Sequence, residues 1–247
     1  MTTEDTPLLV ADSWLVLDGS VRSLDRHVRR FTRSCLEIGA VTPEQLDGFW
    51  RETISVLPRT GAWFPRVELA GDPATLRLRI RPAPPRGEHV RVWVPDVPDH
   101  RRSPARKGPD LQSLTALRAE AEKHGAQEAL LRTADGVVVE AASSSVLWWE
   151  DDVLCSPPEE IPALPGTTAG LVLDLAASLE VRTARRARHV DELAGREVWL
   201  LNALHGIRLV SELIGCDAAP GSGTRFTSWR ERVERLRTPL DPPPSGL

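Results

Sequence analysis

The spacing of apolar residues changes period several times along the chain, and each change marks an element. Residues 8–17 are apolar with few interruptions and predict a strand, and Asp18-Gly19 is a two-residue turn into Ser20-Val21-Arg22. From Ser23 or Asp25 to Ile38 the spacing is helical, with Val28, Phe31, Cys35 and Leu36 on the apolar side and Gly39 as the stop. Thr42-Pro43-Glu44-Gln45 is a capping box with proline in the first turn, so a second helix runs to about residue 56. Strands are expected over 62–69, 75–81 and 89–94. In the middle one Leu76, Leu78 and Ile80 alternate with Arg77, Arg79 and Arg81, which puts one face in a core and leaves an exposed row of arginines on the other.

Residues 96–109 are rich in proline and arginine and read as a connection between lobes. Asp110 then caps a helix whose face is Leu111, Leu114, Leu117 and Ala121, with Gly125 at its end. Strands over 128–133, 137–142 and 146–149 make a meander, and the adjacent Trp148 and Trp149 must point to opposite faces of it. Leu164-Pro165-Gly166-Thr167-Thr168 leads into a helix over 169–178. A basic strand over 181–190, a helical turn at Asp191-Glu192-Leu193, a buried strand over 197–201 and a helix over 227–236 follow. Periodicity alone gives an α+β chain without internal repeats. Its expected parts are a small lobe over 1–100, a linker over 101–109, a larger lobe over 110–237 and a proline-rich tail over 238–247.

With 247 residues, 41% of them hydrophobic and 27% charged, the chain can bury a sizeable core. A formal net charge of −4 gives nucleic acid or an anionic membrane no general attraction, so an anionic ligand must be met by local arginines. No apolar run reaches the roughly 18 residues of a membrane span, and residues 1–7 do not read as a signal peptide, so a cytoplasmic protein is expected. Cys35, Cys155 and Cys216 are odd in number and lack metal-ligand spacing; free thiols and no metal are expected.

Nearly all the basic residues are arginine, and the only lysines are Lys107 and Lys123. A guanidinium replaces an ammonium wherever solvated charge suffices, but it does not condense with an aldehyde. Lys123 falls late in an amphipathic helix, where a solvated role explains it. Lys107 precedes Gly108-Pro109-Asp110 at a loop-to-helix junction, an unusual place for a solvating charge. Gly166-Thr167-Thr168 at a helix N-terminus suits a phosphate, although ordinary helix capping explains the threonines equally well from local sequence.

These residues occur in an order that resembles the class IV aminotransferases, the fold-type-IV pyridoxal phosphate (PLP) enzymes. The similarity lies in Lys107 before a helix, Ala129-Leu130-Leu131, the turn Ala134-Asp135-Gly136, and Glu140 followed by small residues. It continues in His27-Val28-Arg29-Arg30-Phe31, Leu164-Pro165-Gly166-Thr167-Thr168 and Asn202-Ala203-Leu204, the last of which is similar to the aminodeoxychorismate lyase branch. The resemblance implies a two-lobed α/β fold with PLP between the lobes, and a homodimer whose partner loops complete the site. It further implies Lys107 as the catalytic Schiff-base lysine, Glu140 on the pyridine nitrogen, and Arg30 with Gly166, Thr167 and Thr168 on the phosphate. Ser145, Asn202 and Ala203 would also line the cofactor. Arg86, His205 and Arg208 would face an amino substrate carrying a carboxylate. The implied reaction is pyruvate elimination to give 4-aminobenzoate; the alternatives are amino transfer on branched-chain, D- or other amino acids, and a degenerate, non-catalytic relative. The chain departs from the family in having Ala11-Asp12-Ser13-Trp14 for a Gly-aromatic-Glu-Thr strand, no tyrosine, Ser145 for asparagine, Ala169 for arginine and Ala203 for threonine.

Overall fold

Asp18 and Gly19 adopt positive φ, 46° and 70°, and fold the apolar N-terminal run into a hairpin. The computed structural model describes residues 7–240, so the expectations for residues 1–6 and for 241–247 of the tail lie outside the described residues. The run expected as one strand is two, β1 (Leu8–Ser13) and β2 (Val16–Leu17), with β3 (Ser20–Arg22) across the turn. Helix α1 (Leu24–Ile38) stops at Gly39, whose φ of 74° is the left-handed conformation that glycine adopts without strain. Helix α2 (Pro43–Val56) carries the expected capping box: Thr42 Oγ1 accepts from the Gln45 N–H, and the Gln45 side chain accepts from the Thr42 N–H. Strands β4 (Ala62–Trp63), β5 (Arg66–Ala70) and β6 (Thr75–Arg79) complete this part.

Further along come β7 (His89–Trp93), α3 (Leu111–Lys123), β8 (Glu128–Arg132), β9 (Val138–Ala141), β10 (Ser145–Glu150) and β11 (Val153–Ser156). After them lie α4 (Thr167–Ser178), β12 (Arg182–Arg185), β13 (Val198–Asn202), β14 (Gly206–Ile214), α5 (Phe226–Arg235) and β15 (Arg237–Pro239). The sequence pattern missed β11, a strand of four residues only. Asp110 does not cap α3 with its side chain; its carboxylate accepts instead from the Arg102 and Ser103 N–H groups.

The chain divides into two compact units. Unit 1 comprises residues up to Pro85, Arg106–Pro109 and the described residues from Leu236 on; unit 2 comprises Arg86–Ala105 and Asp110–Arg235. The break therefore falls at 85/86 and not near the expected residue 100. The physical reason is β7, which pairs in parallel with β14 and β8 inside an eight-stranded sheet ordered β12-β11-β10-β13-β14-β7-β8-β9, and whose Val90 and Val92 are buried in the core of unit 2. The expected tail likewise begins with a strand, because β15 pairs antiparallel with β3 in unit 1. Trp148 and Trp149 do lie on opposite faces, Trp148 in one cluster with Val146 and Leu200, Trp149 in another with Trp199 and Trp229. Among the described residues no helix is long and apolar enough to cross a membrane, and no group of His, Cys, Asp or Glu could hold a metal ion.

Unit 1 has a three-stranded antiparallel sheet ordered β1-β5-β6, with Val10, Val67, Leu69, Phe31 and Trp50 in one core. Asp12 sits opposite Val67, and is fully buried. Burial opposes its ionisation, but Arg30 and His27 outweigh that and hold its carboxyl far below the ordinary 3.8. His27 Nδ1 lies 2.8 Å from Asp12 Oδ1, and Arg30 donates through Nε and Nη2 to the two carboxylate oxygens, each at 2.8 Å. The bidentate grip fastens α1 to β1. At the other edge of β1, the Ala11 N–H donates to the Lys107 carbonyl at 2.7 Å. Gly108 follows with φ 147°, and a Cβ there would stand 2.9 Å from Val10 Cα and 3.0 Å from the Leu9 carbonyl.

Removing the charge in Asp12→Asn leaves the buried Arg30 guanidinium short of its partner and should cost about 3 kcal/mol in urea unfolding at neutral pH. Because the folded-state pKa of Asp12 is depressed, its contribution is present above the unfolded value and lost as pH falls below it. The gap between wild type and Asp12→Asn should therefore shrink below about pH 4; a gap independent of pH would refute the charge assignment. Gly108→Ala should cost about 2 kcal/mol by the same assay, since backbone and not a flexible side chain blocks the added methyl.

Candidate active site

Lys107 is the one lysine whose backbone is fixed by a strand, through the Ala11 bond and the close fit of Gly108. Lys123 is 71% exposed and donates to Glu120 one turn earlier on α3, as a solvated side chain does. Arg30 belongs to unit 1 as well, nine-tenths buried and oriented by Asp12. Burial holds His27 below its ordinary range, against the pull of Asp12; Arg30 and the Lys107 ammonium act in the same direction as burial.

Unit 2 supplies the remaining expected residues. Glu140 is buried on β9, and its Oε1 takes both a guanidinium N–H of Arg101 at 2.6 Å and the Leu164 N–H at 3.0 Å. Among the described residues Oε2 takes no hydrogen bond. Burial raises the Glu140 carboxyl above its ordinary range while Arg101 and the Leu164 N–H pull the other way. Arg101 is in turn clasped by both oxygens of Asp99. Glu140, expected on the pyridine nitrogen, therefore has Arg101 as a cationic partner within the protein.

Helix α4 starts two residues earlier than the sequence pattern suggested, so Thr167 and Thr168 are its first helical residues, and both are buried. Their N–H groups belong to the turn that has no intrahelical acceptor. Gly166 precedes them without a side-chain cap, and a methyl there would overlap Ser145 Oγ at the start of β10. Ser145, Gly166 and the N-terminus of α4 thus form one tightly fitted corner.

Asn202 and Ala203 open the turn between β13 and β14. Asn202 Oδ1 accepts from the His205 N–H at 2.8 Å, and Nδ2 donates to Ser144 Oγ at 3.0 Å. Arg208, expected to face the substrate, is 4% exposed and donates to Glu128 and to Ser144 Oγ, each at 3.1 Å. Glu128 also accepts from the Ser143 N–H, so the Ser143–Ser144 segment is held at both residues. Arg86 is ion-paired with Glu234 of α5, while the neighbouring Gly87 N–H donates to His205 Nδ1 at 3.1 Å. Burial, together with Arg208, Arg86, Arg118 and Arg230, pushes His205 down to about 3. It is neutral at physiological pH, and with Nδ1 accepting, Nε2 carries its proton.

Sequence reasoning missed Asp12, Arg101 and Glu128. A carboxylate inside an otherwise apolar strand was a usable signal for Asp12, since such a group is retained only when paired. Arg101 lies in irregular chain, where no periodicity marks it.

The sequence matches the family described as Amino-transferase class IV over residues 9–213. No curated protein is significantly similar. Among solved structures, a hypothetical aminotransferase from Mycobacterium tuberculosis in its PLP-bound form superposes with a TM-score of 0.80 at 20% identity, covering 93% of this chain and 88% of that one. The branched-chain amino acid aminotransferase of Escherichia coli gives 0.77 at 19%, covering 92% and 84%. A protein of Legionella pneumophila provisionally identified as a 4-amino-4-deoxychorismate lyase gives 0.76 at 15%, covering 92% and 90%. The two-unit fold is thus that of these proteins, and the family match over most of the length makes this chain a member of the class IV amino-transferase family.

Proposed function

We propose that the protein is a PLP-dependent enzyme that eliminates pyruvate from an amino substrate of the 4-amino-4-deoxychorismate kind. The observation that carries the cofactor reading is Glu140: a desolvated carboxylate whose Oε1 is saturated and whose Oε2 is open suits a cationic ring nitrogen. When bound, PLP supplies an electron sink for the carbanion formed at the substrate α-carbon. Lys107 is the residue that would hold the cofactor, and its amine would carry a proton to and from that carbon. The Ala11 bond and Gly108 keep its backbone in place for this. In unit 1 Arg30, presented by Asp12, would suit a phosphate, and in unit 2 so would the first turn of α4, where Gly166 supplies no side-chain cap. Arg101 offsets part of the effect of burial, which raises the Glu140 carboxyl.

The lyase branch is favoured by Asn202-Ala203-Leu204, where the Asn202 side chain is tied into the turn and to Ser144. A second reading, amino transfer to a keto acid, is favoured by the aminotransferases among the similar structures. Assembly as a homodimer belongs to both readings.

Incubating the PLP-loaded protein with 4-amino-4-deoxychorismate should release pyruvate, and Lys107→Ala should lower the rate at least about a thousandfold. Consumption of a keto acid in proportion to amino donor, without pyruvate, would instead establish the transfer reading. Glu140→Gln should weaken turnover while leaving covalent attachment at Lys107 intact, which a stopped-flow comparison of the two variants would separate.

A further inference from the structure

Two turns of unit 2 that carry expected cofactor-lining residues meet at one serine hydroxyl. The chain between β9 and β10 holds Ser143 and Ser144 and leads into Ser145; the turn between β13 and β14 runs from Asn202 through Ala203 to His205. Ser144 Oγ accepts from Asn202 Nδ2 at 3.0 Å and from Arg208 Nη2 at 3.1 Å. The His205 N–H, by donating to Asn202 Oδ1, leaves only the NH2 end of that amide for the serine. Arg208 is oriented in turn by Glu128, whose Oε1 accepts from the same Nη2. The Glu128 carboxylate also accepts from the N–H and the hydroxyl of Ser143, so one buried acid grips both Arg208 and the residue before Ser144.

Neither donor to Ser144 can accept a hydrogen bond in return, since a guanidinium and an amide NH2 only donate. The hydroxyl is therefore left with its own proton to give. Among the described residues that proton meets no acceptor, although Ser144 is only 4% exposed. Arg208 Nε, also buried, lacks a partner as well. Buried donors are ordinarily met, so two unspent ones in a single network suit an acceptor brought by a bound ligand. Arg208 is moreover a costly way to fill space: burial and Arg118 work against its charge, with Glu128 the opposing partner. Its hydrogen bonds, more than its bulk, explain it.

We propose that Arg208 is a positioning residue, which with Glu128 and Asn202 locks the two turns together and holds the Ser144 hydroxyl as a fixed donor to the bound cofactor. The role toward the cofactor rests on the reading of Ser145, Asn202 and Ala203 as its lining; the coupling of the turns does not. Loss of a bond in one turn is felt in the other, because Ser144 Oγ is the atom at which they join.

Hydrogen–deuterium exchange of the full-length protein, before PLP is added, tests the coupling. Ser144→Ala and Arg208→Met should each speed exchange at the His205 amide by about fivefold or more, whereas Arg208→Lys, which keeps the charge and a donor, should speed it by less than about twofold. Titration with PLP, followed by its absorbance, tests the positioning. Ser144→Ala and Arg208→Met should each weaken PLP binding about tenfold, and Arg208→Lys should restore most of that loss. Combining the two substitutions should add no more than about twofold to the worse single variant, since both act through one hydroxyl. Ser144→Ala removes no charge, so it carries the test if Arg208→Met fails to fold. Unchanged exchange at the His205 amide, PLP affinity of Ser144→Ala within about twofold of wild type, or losses that simply add would overturn the proposal. A wild type that takes up no PLP would sink the cofactor reading, and the donor role of Ser144 with it, while the exchange result still decides the coupling.

Discussion

One backbone hydrogen bond, from the Ala11 N–H to the Lys107 carbonyl, ties Lys107 to the strand that organises unit 1. Everything proposed for that unit is referred to β1. Asp12, the next residue, fixes Arg30 and His27 on one side of the strand. Ala11 and Ser13 on the other side border Glu68 and Arg66, which pairs with it. A strand alternates its side chains by geometry, so three consecutive residues can meet the buried helix α1 on one side and Glu68 with its arginines on the other. Gly108 completes the arrangement because the chain after Lys107 passes too close to Leu9 and Val10 for any side chain.

A second constraint runs through both units: several buried carboxylates are held by arginine. Glu140 has Arg101, Glu128 has Arg208, and Asp12 has Arg30. Burial acts against Glu150 too, yet hydrogen bonds from Arg188, Trp148 and Arg186 bring it down to about 2. Such pairs add little net stability over apolar packing, but losing one member is costly. They fix geometry: Arg30 and Glu140, both proposed to meet the cofactor, are each set by one. A chain whose cations are almost all arginine is suited to this, because a guanidinium tolerates partial burial and bonds a carboxylate through a planar fork.

Much of the architecture was legible in advance because it rests on local chemistry. The Thr42 capping box, the Gly39 stop, the Asp18-Gly19 turn and the opposite-facing Trp148 and Trp149 all follow from spacing within a few residues. What sequence could not supply was pairing over long range. Strand β7 reads like its neighbours β5 and β6, and only its parallel partners β8 and β14 assign it to the other unit. The same holds for the site. Lys107 stood out by its rarity and position, whereas Arg101, Glu128 and the burial of Arg208 depend on contacts between residues tens of positions apart. Arg208 illustrates the difference: a conspicuous arginine near a turn is buried and bonded to Glu128 and Ser144, residues more than sixty positions away.

The central claim is that Lys107 is the covalent anchor for PLP, and the presence of only two lysines makes it unusually direct to test. The full-length protein would be incubated with PLP, reduced with borohydride, digested and mapped by mass spectrometry. The account predicts a phosphopyridoxyl group on the Lys107 peptide and none on that of Lys123. Label on Lys123 alone, or on neither lysine, would contradict it.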